Sequence, residues 1–230
     1  MKRLLIACAA TMLFLLAGNT NEIQAQEGPG FDLGLKMWLN SWHQDTPDSG
    51  GITSDTTMLL GPAFEARFTN DLFLETSLLF STADYSFPAP GGSFNIERQD
   101  FDIALGYMLV PGFGILAGYK DSTFHESATG LQSTVSGPVI GIKGIAPLDE
   151  QLSFYGRLEY LFTEFSTNNP DPLSVSREDS PGWLVDVGMK YAFTRGFSGS
   201  IGYRYETNEG NVTHVRDSFS GVTFAGTFTF

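Results

Sequence analysis

The chain has 230 residues, 13 Lys+Arg against 26 Asp+Glu, and a formal net charge of −13 at pH 7. That length suffices for one domain with a buried core, and the acidity excludes nucleic-acid binding, which needs a basic surface. An apolar share of 42% excludes a disordered chain, while a single long apolar run excludes a bundle of membrane-spanning helices.

That one run comes first. Lys2 and Arg3 precede an apolar stretch over residues 4–17, a polar segment over 18–24, and Ala25, with Ile23 at the −3 position. This is the pattern of a secretory signal peptide, too short to anchor the chain in a bilayer. We expect cleavage to leave residues 26–230 as one mature domain. Leu5-Ile6-Ala7-Cys8 is similar to a lipoprotein lipobox, but the apolar run continues past Cys8. Cys8 therefore belongs to the signal, and the mature chain carries no thiol.

After Gln26 the sequence alternates with a period of two. Phe31, Leu33, Leu35, Met37 and Leu39 alternate with Asp32, Gly34, Lys36 and Trp38. Further apolar series are Leu60 to Phe68, Leu72 to Phe80, Phe101 to Tyr107, Phe113 to Tyr119, Ile140 with Ile142, Phe154 to Phe162, Trp183 to Tyr191, Ile201 to Tyr205, and Val222 to Phe230. That makes ten strands. Their connections alternate in length: short near residues 69–71, 110–112, 147–151 and 194–196, long and polar over 43–55, 82–97, 121–134, 164–181 and 207–217.

Short turns at one end and long loops at the other are the habit of bacterial outer-membrane barrels. The fold class is thus all-β, a ten-stranded antiparallel transmembrane β-barrel. Eight strands result if the runs near Ile140 or Ile201 are loop. A soluble β-sandwich also alternates, but it buries its apolar face. An even strand count leaves both termini at the short-turn, periplasmic end.

The closing run Val222-Thr223-Phe224-Ala225-Gly226-Thr227-Phe228-Thr229-Phe230 is similar to the C-terminal signal of Gram-negative outer-membrane β-barrel proteins. The resemblance covers essentially the whole mature chain as pattern. It implies export to the cell outer membrane and reading of Phe224, Phe228 and Phe230 by the barrel-assembly machinery. It selects no subfamily with a known activity.

The apolar phase faces lipid, with aromatic girdles such as Phe68, Phe113 and Phe154 near short turns and Tyr119, Tyr160 and Trp183 nearer the loops. The other phase carries eight acids, Asp32, Glu65, Glu75, Asp100, Asp102, Glu159, Asp186 and Glu206. It also carries eight bases, Lys36, Arg67, Arg98, Lys120, Lys143, Arg157, Lys190 and Arg204. Charges inside a narrow barrel are costly unless paired, so the lumen is expected to be a salt-bridged polar core. The alternative is a narrow path for small solutes lined by the same charges.

The long connections hold most of the net negative charge. Lipopolysaccharide is anionic, so divalent cations would bridge it to them. No metal-ligand spacing and no cofactor motif is present, so none is expected.

All three histidines, His43, His125 and His214, lie in or beside long connections. Histidines above a ten-stranded barrel resemble the omptin surface proteases, with Asp45, Asp84 and Asp217 as candidate partners, yet the omptin Asp-x-His spacing is absent. His125-Glu126-Ser127 resembles the His-x-Ser pair of lipid A deacylase barrels, but Ala128-Thr129-Gly130 replaces the Asn-Ala-Gly that follows there. The expected role is therefore non-enzymatic: a monomeric outer-membrane protein, structural or surface-interacting, with a passive channel and then a surface hydrolase as alternatives.

Overall fold

The computed structural model describes residues 30–47, 50–89, 92–168 and 177–230. The expected signal peptide lies outside the described residues, as do Asp48 and Asp171 of the acidic connections. Fourteen strands are β1 (Gly30–Thr46), β2 (Gly50–Thr53), β3 (Thr57–Arg67), β4 (Leu72–Ser81), β5 (Tyr85–Ala89), β6 (Gly92–Val110), β7 (Phe113–Glu126), β8 (Gln132–Pro147), β9 (Leu152–Leu161), β10 (Glu164–Thr167), β11 (Arg177–Asp179), β12 (Gly182–Thr194), β13 (Phe197–Glu209) and β14 (Arg216–Thr229).

Ten of them are the staves of a closed antiparallel barrel, in the ring order β1-β3-β4-β6-β7-β8-β9-β12-β13-β14 and back to β1. β2 and β5 are hairpin arms on β1 and β6, whereas β10 and β11 prolong β9 and β12. The break before β12 falls at Ser180-Pro181, where proline has no N–H to give the ladder. Bulges at Met108/Val110 and Ala192/Thr194 end two staves just before short turns.

Closure joins the two ends of the chain. Asp32 pairs with Thr229 and the register runs unbroken to Asp45 opposite Arg216. Phe230 N–H donates to the Phe31 carbonyl at 3.0 Å, and the two rings stack at 5.5 Å. No edge strand is left in the ring.

Period-two alternation places side chains exactly as strand geometry demands. The outward phase leaves Leu35 61% exposed and Phe193 56%, while inward Trp38, Asp100 and Glu206 have no exposure. Ring contacts among Tyr160, Phe162 and Trp183 mark one end of the belt, and among Tyr191, Phe193, Phe197 and Phe228 the other. The long connections differ from the sequence reading: much of them is strand. β1 runs on to Thr46, β7 to Glu126, and β6 begins at Gly92, so the barrel wall continues well beyond the apolar belt.

Candidate functional site

The lumen is built from the inward phase, and it divides into two unlike halves. At the long-connection end it is aromatic. Trp42 meets four rings: Tyr85 and Phe87 edge-on at 5.8 and 5.0 Å, and Phe124 and Phe219 tilted at 5.1 Å each. Trp38, Leu59, Leu79 and Val135 complete a cluster whose buried members are no more than 8% exposed, with Ile52, Phe94, Ile96 and Phe165 packed against it. Contributions come from the barrel staves, from the hairpin arms β2 and β5, and from β10, which prolongs β9. Two of its polar atoms have partners: Trp42 Nε1 donates to Asp217 at 2.8 Å and the Tyr85 hydroxyl to Asn40 Oδ1 at 2.7 Å, whereas Trp38 Nε1 is buried without one.

Sequence reasoning expected a polar core throughout and missed this cluster. The signal was available. Trp38 and Trp42 continue the inward phase of Asp32 and Lys36, Phe124 continues that of Lys120, and Phe219 that of Thr223. Extending the alternation past the expected strand ends would have found them.

Directly against the aromatic cluster lies a layer of buried charge. The Arg98 guanidinium sits 3.9 Å from the Phe219 ring centroid and 5.3 Å from that of Trp38, and Arg204 lies 4.7 Å from Trp38. Arg98 donates to Asp100 at 2.7 Å and to Glu206 at 3.0 Å. Glu206 also takes Arg204 at 3.1 Å and Lys120 at 3.2 Å, and Lys120 reaches Asp102 at 3.2 Å. Arg98 is on β6 and Glu206 on β13, five places apart in the ten-stave ring and so diametrically opposed. Their hydrogen bond spans the bore. One carboxylate facing three cations is a geometry in which low dielectric strengthens every contact.

The second charged layer is looser. Glu75 on β4 takes both Lys143 and, at 2.7 Å, Arg157 from across the barrel. Lys143 also bonds Glu65 at 3.1 Å, Arg67 bonds Asp32 at 3.0 Å, and Arg157 pairs with Glu159. Lys36 stands 3.7 Å from Asp186. Of the sixteen inward charges named from sequence, fifteen are joined in ion pairs; Lys190 has none among the described residues. The charges of this layer themselves line a cavity of about 320 Å³, with six acids and six bases among hydroxyl, small and apolar side chains. It extends toward Asp32, Arg67, Ser198 and Thr227, among the last inward residues before the short turns.

The histidines do not converge on the bore. His43 lies on the outward phase of β1, its Nδ1 2.7 Å from Thr53 Oγ1 and its Nε2 3.0 Å from Asp45. His125 is exposed, in register with Glu97 and Gln132, and His214 is exposed with a φ of 53° in the β13–β14 turn. Asp217 is bound to Trp42 and Gln44 instead of a histidine, and Ser127 Oγ reaches Asp84. The C-terminal Phe228 and Phe230 are 55% and 64% exposed on the outward phase. Phe224 is less exposed, on the same outward phase. Among the described residues no group of three or more His, Cys, Asp and Glu side chains is placed to hold a metal ion.

At the long-connection end, acidic side chains also hold hairpins together. Glu178 accepts the Val212 and Thr213 N–H groups at 2.8 and 2.9 Å and the Thr213 hydroxyl at 2.6 Å. Burial raises the cost of its charge, but these hydrogen bonds outweigh it and hold the carboxyl below its ordinary range.

Comparison with known proteins agrees with this architecture. The outer membrane protein beta-barrel domain family matches residues 8–228. No curated protein matches the chain in sequence. Among solved structures, the outer membrane protease OmpT from Escherichia coli superposes with a TM-score of 0.62 at 12% identity, covering 92% of this chain and 99% of its own. OprG from Pseudomonas aeruginosa matches at 0.41 and 16% identity, over 91% and 99% of the two chains. Neisserial surface protein A matches at 0.44 and 14%, over 86% and 98%. The likeness to OmpT, at such identity, is one of fold alone. With a matching family model over nearly its whole length and a closed ten-stave ring, the chain belongs to the outer membrane β-barrel family.

Proposed function

We propose that this is a closed outer-membrane barrel whose work is done at its surface, in a structural or surface-interaction role without catalysis. The observation that carries the reading is the Arg98–Glu206 bond between diametrically opposed staves, pressed against a packed aromatic cluster. A bore crossed in this way has no continuous aqueous path. The acidic hairpin ends are then the interacting part, with lipopolysaccharide held through divalent cations as their partner. Phe224, Phe228 and Phe230 serve the assembly machinery, residues 1–25 are removed on export, and a ring without free edges works as a monomer.

The test is single-channel recording of the refolded mature chain, residues 26–230, in a planar bilayer. A silent bilayer, with folding verified by a heat-dependent gel shift, is the expected result. Steady ionic steps would overturn the closed bore in favour of a narrow passive channel.

One observation favours a second reading, a surface hydrolase. His43 sits between a hydroxyl, Thr53, and a carboxylate, Asp45, an arrangement that can activate a nucleophile. Ester or peptide cleavage by the refolded barrel, abolished in His43→Ala with the gel shift retained, would establish it. The same turnover in both proteins would remove it.

A further inference from the structure

In the looser half of the lumen acids and bases balance, six of each around the cavity, but two lysines are poorly paired. Lys190 has no ion pair among the described residues, and Lys36 has only the long 3.7 Å approach to Asp186. Both line the 320 Å³ cavity. The register ties them together: Lys36 lies opposite Ala225, Ala225 opposite Ser200, and Ser200 opposite Lys190. All four belong to the inward phase, so two ammonium groups flank a short row of small side chains.

Small residues alone would only leave space. The groups above the row indicate what the space is for. Arg204 Nε and Thr223 Oγ1 are buried without a hydrogen-bond partner, their residues 2% and 3% exposed, and both residues line the same cavity. Tyr155 closes this wall over Gly188 and Gly202, where any Cβ would collide with its hydroxyl. An unsatisfied buried N–H is costly and calls for an acceptor. A guanidinium N–H, a hydroxyl and two ammonium groups can all donate, and their residues line one cavity; its carboxylates are held by the other bases, apart from Asp186, which keeps one oxygen without a hydrogen bond. We infer that this cavity is a binding site for a small oxyanion, a carboxylate or a phosphate, at the short-turn end of the barrel. Lys36 and Lys190 supply the charge, Arg204 and Thr223 the directional hydrogen bonds, and Ser200 the floor.

The inference rests on the closed bore only in making the cavity blind at its inner end. The site is tested separately from conductance. The mature chain has no cysteine of its own, so a single Thr227→Cys at the cavity mouth reports on what enters. The full mature barrel is labelled with two methanethiosulfonate reagents of similar size, one bearing a sulfonate and one a trimethylammonium group. The sulfonate reagent is expected to react about tenfold faster. Inorganic phosphate or acetate, titrated separately, should slow it saturably, and the more effective of the two identifies the oxyanion. Adding Lys190→Met, which removes no ion pair, should bring the two reagent rates close together; Lys36→Met should do the same.

Equal rates for both reagents would overturn the site, as would no reaction, or labelling indifferent to both phosphate and acetate. A conducting bilayer with the anion preference intact would sink the closed bore and keep the pocket. A silent bilayer without the preference would do the reverse.

Discussion

The two halves of the lumen solve the same problem in different ways. Both must fill a bore too wide to close by itself. The long-connection half does so with rings packed around Trp42. The short-turn half does so with charges that reach across, and it keeps a cavity. Where the halves meet, Arg98 and Arg204 lay cationic faces on the rings and each gives an Nη2 N–H to Glu206. Apolar packing excludes space, whereas ion pairs, which need particular distances and leave odd atoms over, tolerate it.

Glu206→Gln attacks the meeting point and should have the largest effect. It removes the charge facing Arg98, Lys120 and Arg204 and leaves three buried cations short of an acid. A loss of about 3–5 kcal/mol is expected in urea unfolding from lipid vesicles. Next is Leu79→Ala in the aromatic half, where a fully buried side chain leaves a void that its rigid neighbours cannot collapse into. The same titration should read about 3 kcal/mol.

Glu178 gives a smaller, pH-dependent effect outside the bore. Its carboxyl is depressed in the folded barrel, so its contribution is fully present above the unfolded value of about 4.3. That contribution is lost as pH falls through the lower folded value. Amide-exchange protection at Val212 and Thr213 should drop over that acid window, and Glu178→Gln should flatten the dependence and cost about 1–2 kcal/mol locally. Smallest of all, Lys190→Met in the roomy half should change stability by no more than about 0.5 kcal/mol, because no ion pair depends on it. If Lys190→Met were as damaging as Glu206→Gln, the contrast between the halves would fail.

Much of this was legible in the sequence, because a strand needs only one number, its phase. Phase sorts Asp32 and Lys36 inward and Leu33 and Leu35 outward without any knowledge of neighbours. Ten staves follow from ten alternating runs, and the runs near Ile140 and Ile201 are full staves of the ring. Partner choice was not legible. Phase says that Arg98 and Glu206 both point inward, but their meeting depends on how ten tilted staves close, which no local pattern encodes. The aromatic cluster was hidden for a different reason. Trp42, Phe124 and Phe219 sit among polar residues such as His43, His125 and Ser218, so hydropathy marks their segments as loop while the backbone continues as strand.

The seam between β1 and β14 has a consequence for how the molecule forms. Asp32 and Thr229 are paired neighbours separated by almost the entire chain. Every other stave pairing joins segments closer in sequence, so the ring's last hydrogen bonds are also its most non-local, and such contacts are slow to make. Without them the ring would be an open sheet with two bare edges. Arg98 and Glu206, five staves apart by either route, can meet only once the sheet has curled shut. The bore should therefore seal late and all at once, with the seam acting as the latch of the whole barrel.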